Sequence, residues 1–158
     1  VKKTIIFVFG LCTLWGTQSC NKNHETPDST VGSGVVVATV DGRAWSSLTT
    51  VGGADFNNVL GTTTITAIAS DGSSIVLAVP SGISLGKEYT VAGGTLDAQY
   101  KSDAAATIVY AAVGSFGSGT VVFSEATTRR LKGAFQFTGI SNGLPDVVVT
   151  DGTFDIRE

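Results

Sequence analysis

Four turn dipeptides, Asp41-Gly42, Asp71-Gly72, Asn142-Gly143 and Asp151-Gly152, cut the chain into short segments. Asp-Gly and Asn-Gly tolerate left-handed backbone at successive positions, which is the geometry that joins adjacent antiparallel strands. The segments beside them are rich in β-branched residues. Val35 to Val40 and Arg43 to Ser46 flank the first dipeptide; Thr62 to Ala69 and Ser74 to Val79 flank the second. The second pair is the strongest hairpin in the chain. Ile75, Leu77 and Val79 fall on one face of its returning strand and are expected in the core. Asp151-Gly152 is different, because too little chain follows it for a long partner strand. It reads as a bulge.

Further strands are expected at Glu88 to Ala92, Ala105 to Val113, Thr120 to Glu125, Arg130 to Thr138 and Asp146 to Ile156. A helix is the lesser reading for the alanine-rich Ala105 to Val113. Leu131, Phe135 and Phe137 share a face on which Gly133 leaves a gap, and such a gap lets a neighbour's ring lie over the backbone. Leu48 to Asn58 and Gly93 to Asp103 read as the longest loops. After residue 20 no stretch of ten residues carries a 3.6-residue period. The expected fold is all-β, a single antiparallel β-sandwich or flattened β-barrel of about 8–10 short strands.

The first twenty residues differ. Val1-Lys2-Lys3 is basic, Thr4 to Gly16 is apolar, and Thr17-Gln18-Ser19-Cys20 is mostly small. That order is the layout of a secretory signal, and the apolar run is shorter than the roughly 20 residues a spanning helix needs. A Cys directly after a small residue resembles the bacterial lipoprotein signal, with Thr17 where Leu is usual, as in the looser form found in Bacteroidota. The resemblance implies cleavage between Ser19 and Cys20 and a diacylglycerol on the Cys20 thiol. Each buried methylene adds about 0.8 kcal/mol, so two or three acyl chains anchor firmly. The expected organisation is a signal over 1–19, lipidated Cys20 and a polar, breaker-rich tether over 20–34, and an all-β domain over 35–158.

That division removes most catalytic chemistry. Cys12, Cys20 and His24 are the only cysteines and histidine, and all precede residue 25. The domain therefore has no triad histidine, no Cys nucleophile and no Cys/His set for zinc or haem. No cofactor, metal or catalytic residue is expected. With 13 acidic against 10 basic residues the net charge is −3, and it becomes more negative once Lys2 and Lys3 leave with the signal. Such a balance argues against nucleic acid as a partner.

Candidate contact residues are few. Trp45 is the one tryptophan after the signal; it could stack on a sugar or plug one end of the core. Tyr100 and Phe116 lie in Gly- and Ser-rich segments where an exposed ring would contact a ligand. Asp41, Asp71 and Asp151 read as turn chemistry, because no D-x-D-x-D-G spacing points to calcium. Asp97, Asp103, Glu125, Asp146 and Asp155 could supply a carboxylate pair, but nothing in the sequence selects one. Arg129, Arg130 and Lys132 read as a solvated basic turn.

Short motifs carry a resemblance over residues 35–158. They are V-x-G-x-x-W at Val40, Gly42 and Trp45; Gly86-Lys87-Glu88-Tyr89, one residue longer than G-x-Y; K-G-x-F-x-F at Lys132 to Phe137; and D-G-x-F at Asp151 to Phe154. With the lipidated Cys, these resemble a family of small, functionally uncharacterised Bacteroidota lipoproteins. The resemblance implies an all-β fold and a cell-envelope location, with the outer membrane the expected site and the side left open. The expected role is non-enzymatic binding of a partner or ligand. A carbohydrate-binding accessory protein is the first alternative and a carboxylate-dependent polysaccharide hydrolase the second.

Overall fold

A computed structural model of the chain describes residues 33–50, 52–105 and 107–158. The expected signal, the cleavage at Ser19–Cys20, the lipid site and nearly all of the tether lie outside the described residues. Eleven strands run in order: β1 (Ser33–Val40), β2 (Arg43–Ser46), β3 (Ala54–Val59), β4 (Thr62–Ile68), β5 (Ser74–Pro80), β6 (Glu88–Thr90), β7 (Asp97–Lys101), β8 (Val109–Ala112), β9 (Ser118–Ala126), β10 (Arg130–Gly139) and β11 (Val147–Arg157). They form a six-stranded sheet, β2-β1-β11-β10-β9-β6, and a five-stranded sheet, β3-β4-β5-β7-β8, antiparallel throughout. The two are not closed into a barrel, so the fold is the sandwich.

Three details differ from expectation. Leu48 to Asn58 holds all of β3 but its last residue, and Gly93 to Asp103 contains β7, which is why the strands among the described residues number eleven rather than eight to ten. Neither segment has strong β-propensity; each is recruited by a neighbour that does. β3 pairs along its whole length with the threonine-rich β4, and β7 pairs with β5. The strand expected over Ala105 to Val113 keeps only Val109–Ala112. The sheet also begins at Ser33 rather than Val35.

Alternation builds the core. Val36, Ala38 and Val40 of β1 point inward between exposed Val35 and Val37, and Ile75, Leu77 and Val79 of β5 do the same. The gap at Gly133 is filled as expected. Gly133 stands opposite Phe154 in the register, and a Cβ there would meet the Phe154 ring at 2.5 Å. The arrangement is reciprocal. Gly152 stands opposite Phe135, whose ring would meet a Cβ at 2.6 Å. Each glycine thus lies beneath the phenylalanine of the other strand's motif, so K-G-x-F-x-F and D-G-x-F are two halves of one packing unit.

Asp151-Gly152 is a bulge. β11 has one more residue than β1 and than β10 across this point, and Asp151 takes a φ of 53°. The extra residue restores Phe154 and Ile156 to the core after Val147 and Val149.

Candidate functional site

The β1–β2 turn, the β4–β5 turn, the end of β7 and the start of β8 converge at one end of the sandwich. They surround a cleft of about 470 Å³ whose walls include Asp41, Arg43, Trp45, Asp71, Tyr100 and Tyr110. This is the largest of the described clefts.

Asp41 and Gly42 form the two-residue turn the sequence implies, both with positive φ. The Asp41 amide donates to the Val148 carbonyl and its carboxylate accepts the Val148 amide, each at 2.9 Å. The turn is therefore fastened to β11, with a carboxylate left at the mouth of the cleft. In β2, Trp45 points inward between exposed Ala44 and Ser46, and it is only 8% exposed. The plug reading holds; this indole is a wall of the cleft and not an open stacking surface.

The indole N–H donates to Ser73 Oγ at 2.8 Å. Ser73 is fully buried, and its hydroxyl donates in turn to Asp71 Oδ1 at 2.6 Å. The Ser73 amide donates to the same oxygen at 2.9 Å, closing an Asx turn. The hydroxyl bond first and the amide bond second hold the Asp71 carboxyl below its ordinary pKa, against a smaller opposing effect of burial. An indole N–H, a hydroxyl and a carboxylate are thus satisfied in one chain linking the two sheets. An unpaired buried donor would cost about 1–3 kcal/mol.

Tyr100 and Tyr110 face each other across the β7–β8 pair, with ring centroids 6.2 Å apart and planes tilted by 34°. Both are half-buried. Burial raises the Tyr100 phenol above its usual pKa; the Ser73 hydroxyl opposes this in part, and the charges of Asp71 and Asp41 add to the rise. At neutral pH it is an uncharged hydroxyl that both donates and accepts. Tyr110 is set close by Gly139, where a Cβ would meet the Tyr110 Cβ at 2.9 Å. The cleft therefore offers two carboxylates, one guanidinium, two phenols and partly open aromatic faces. Such a surface suits a polar ligand that carries both hydroxyls and ring C–H groups.

The sequence candidates separate here. Trp45 and Tyr100 meet at the cleft, while Phe116 does not line it. Phe116 closes a tight turn by exchanging both backbone hydrogen bonds with Val113, and its ring is 67% exposed. Asp41 and Asp71 read as separate turns, yet the fold brings both to one cleft. Of the other carboxylates, Glu125 and Asp155 both engage Arg130, at 3.0 and 2.7 Å. Of the two segments expected to be loops, only Gly93 to Asp103 contributes to the cleft. Tyr110, Arg43 and Ser73 were not singled out in the sequence. The D-G-S run after β4 does carry the Asx-turn signal for Ser73, and reading Asp97–Lys101 as a strand would have set Tyr110 opposite Tyr100.

No curated protein and no solved structure matches the chain. Residues 32–155 match the family model described as Domain of unknown function (DUF6252), and the chain belongs to that family.

Proposed function

We propose that the chain is a lipid-anchored cell-envelope protein of the Bacteroidota type, whose β-sandwich binds a polar ligand in the Trp45–Tyr100–Tyr110 cleft. The anchor rests on the basic start, the short apolar run and Ser19-Cys20. Mature protein then starts at Cys20 and is held by acyl chains on its thiol, in the outer membrane. The binding role rests on one observation: the largest described cleft gathers two half-buried tyrosines, Asp41, Asp71 and Arg43 at one end of the sandwich. A glycan is the ligand class that these groups favour, since carboxylates accept sugar hydroxyls and aromatic faces take the C–H side of the ring. In this reading Asp71, which Ser73 holds ionised, serves as a hydrogen-bond acceptor and not as a general acid.

Two measurements test the two halves. Cells fed radioactive palmitate should label the wild-type chain and not Cys20→Ala; equal labelling, or none in either, removes the anchor. Trp45, the only tryptophan of the mature chain, reports on the cleft. Titration with envelope and plant oligosaccharides should shift its emission, and Tyr110→Ala should weaken binding about tenfold, or ~1.4 kcal/mol. An unchanged affinity in Tyr110→Ala would remove the cleft from the reading.

A further inference from the structure

The opposite end of the sandwich carries a feature that folding does not explain. The β3–β4 hairpin turns through Leu60-Gly61, with φ values of 51° and 81°. The first of these positions favours Asn, Asp or Gly, which tolerate left-handed backbone. Leucine there is strained, and its side chain is 100% exposed, so it gains nothing from packing. Val59 beside it is also exposed. The Ser81 amide donates to the Gly61 carbonyl at 2.8 Å, bringing to the same tip the connection that carries exposed Leu85.

This apolar tip stands at the end where the chain enters the domain. A groove lined by Asn58, Thr63, Ile83, Thr127 and Leu131 joins the hairpin to the β9–β10 turn. Across the sheet from that turn, Arg130 pairs with Arg157, and Arg157 pairs with Ser33, the first described residue. Two strand spacings, about 10 Å, separate Ser33 from the turn. The stretch from Cys20 to Gly32, read as a tether, has a typical reach near 20 Å. β11 runs the length of the sandwich with eleven residues, or about 36 Å. The entry end therefore stays close to whatever holds Cys20, and the cleft end is free to stand away from it.

The charges agree with that orientation. Around the β9–β10 turn, Arg129, Arg130, Lys132 and Arg157 stand against Glu125, Asp155 and Glu158, and Asp97 shares a groove with Gly61. At the cleft end Asp41, Asp71, Asp103 and Asp146 outnumber Arg43 and Lys101. The more acidic end is the one turned away from an anionic lipid surface.

We infer that Leu60, with Val59 and Leu85, inserts into the surface of the bilayer that holds the tether, so that the protein stands on this end and presents its cleft outward. The inference rests on the anchored reading above. Its test supplies its own tether. The mature chain with Cys20→Ala and an N-terminal hexahistidine tag is cysteine-free, and nickel-chelating lipid holds it on phosphatidylethanolamine–phosphatidylglycerol vesicles. A single Cys is introduced by Leu60→Cys, Leu85→Cys or, as the cleft-end control, Asn142→Cys, and each carries a nitrobenzoxadiazole fluorophore. Emission at 60 and 85 should move to the blue and be quenched several-fold more by nitroxide lipids than at 142. Adding Leu60→Asp should remove the quenching at 85. Equal quenching at all three positions overturns the inference. So does a concentration-dependent dimer lost in Leu60→Asp, which would assign the tip to a second copy. Failure of the palmitate experiment alone leaves this readout intact, so the two ideas fail separately.

Discussion

The two sheets fill one core with opposite materials. Among the described residues, the six-stranded sheet turns Trp45, Tyr89, Phe123, Phe135, Phe137 and Phe154 inward. The five-stranded sheet and its β4–β5 turn answer with Ala54, Ala67, Ala69, Ala98 and Ala112, and with a single buried aromatic, Phe56. Large side chains on one face need small ones opposite if the layers are to close at native density. The six-stranded sheet also meets the need within itself, by laying Phe154 over Gly133 and Phe135 over Gly152. The six-stranded sheet supplies nearly all of the aromatic volume, and the five-stranded sheet sets alanines among Ile65, Ile75, Leu77 and Val79 to make room for it.

That difference predicts opposite sensitivities. Phe154→Ala removes a ring that is 2% exposed and packs against Phe123 at 5.4 Å and Phe135 at 6.3 Å. It should destabilise the domain by about 3–5 kcal/mol in urea unfolding, the largest single effect expected. In the other sheet the harmful change is enlargement. Ala98 is fully buried, and Ala98→Leu should cost about 1–3 kcal/mol by overpacking. A neutral or stabilising Ala98→Leu would mean that the five-stranded sheet has spare volume and does not fit tightly against the aromatic face.

The same contrast explains which strands could be read from the sequence. Strands of the six-stranded sheet announce themselves through alternation of Val, Phe and Leu with polar residues, as in Arg130–Gly139. β3 (ADFNNV) and β7 (DAQYK) carry Ala, Asn and Asp, which are depleted in strands, so both segments read as loops. Their extended form comes from pairing with β4 and β5. Because β7 carries Tyr100, losing that strand also hid the tyrosine pair. The bulge at Asp151 and the ring over Gly133 were legible, since chain length and a gap in one row of side chains suffice for them. The convergence of Asp41 and Asp71 was not, because it depends on how the two sheets stack.

A polar tie also crosses between the sheets, and breaking it should cost less than either volume change at the core. Ser73→Ala leaves the Trp45 indole N–H and one acceptor position of Asp71 without their partner. The penalty should fall near the low end of about 1–3 kcal/mol, because water in the adjoining cleft can reach the indole. Trp45 emission in the folded protein should shift, and ligand binding should weaken along with it. An unchanged emission spectrum would mean that the tie does not position the indole.

The smallest effects separate the two sheets by salt. Two carboxyls, one beside each sheet, are held below their ordinary pKa. Asp71, in the β4–β5 turn, is held chiefly by the Ser73 hydroxyl. Asp155, on β11, is held chiefly by Arg130, whose Nε and Nη2 donate to its two oxygens at 2.8 and 2.7 Å. A carboxyl with a lowered folded-state pKa contributes stability that is complete above its unfolded value, roughly 3.9, and is lost as pH falls through the folded value. Asp71→Asn and Asp155→Asn should each therefore be less stable than wild type at neutral pH and lose stability less steeply in acid. Asp71 is exposed and the Asp155 side chain is 37% exposed, so solvent screening keeps the differences small. At 1 M salt, where the Debye length is about 3 Å, the Asp155→Asn difference should shrink, because an ion pair carries it. The Asp71→Asn difference should persist, because a hydroxyl and an amide carry it. If salt erased both, the Asp71 carboxylate would be responding to the general field of the protein and not to Ser73, and the polar tie between the sheets would end at the indole.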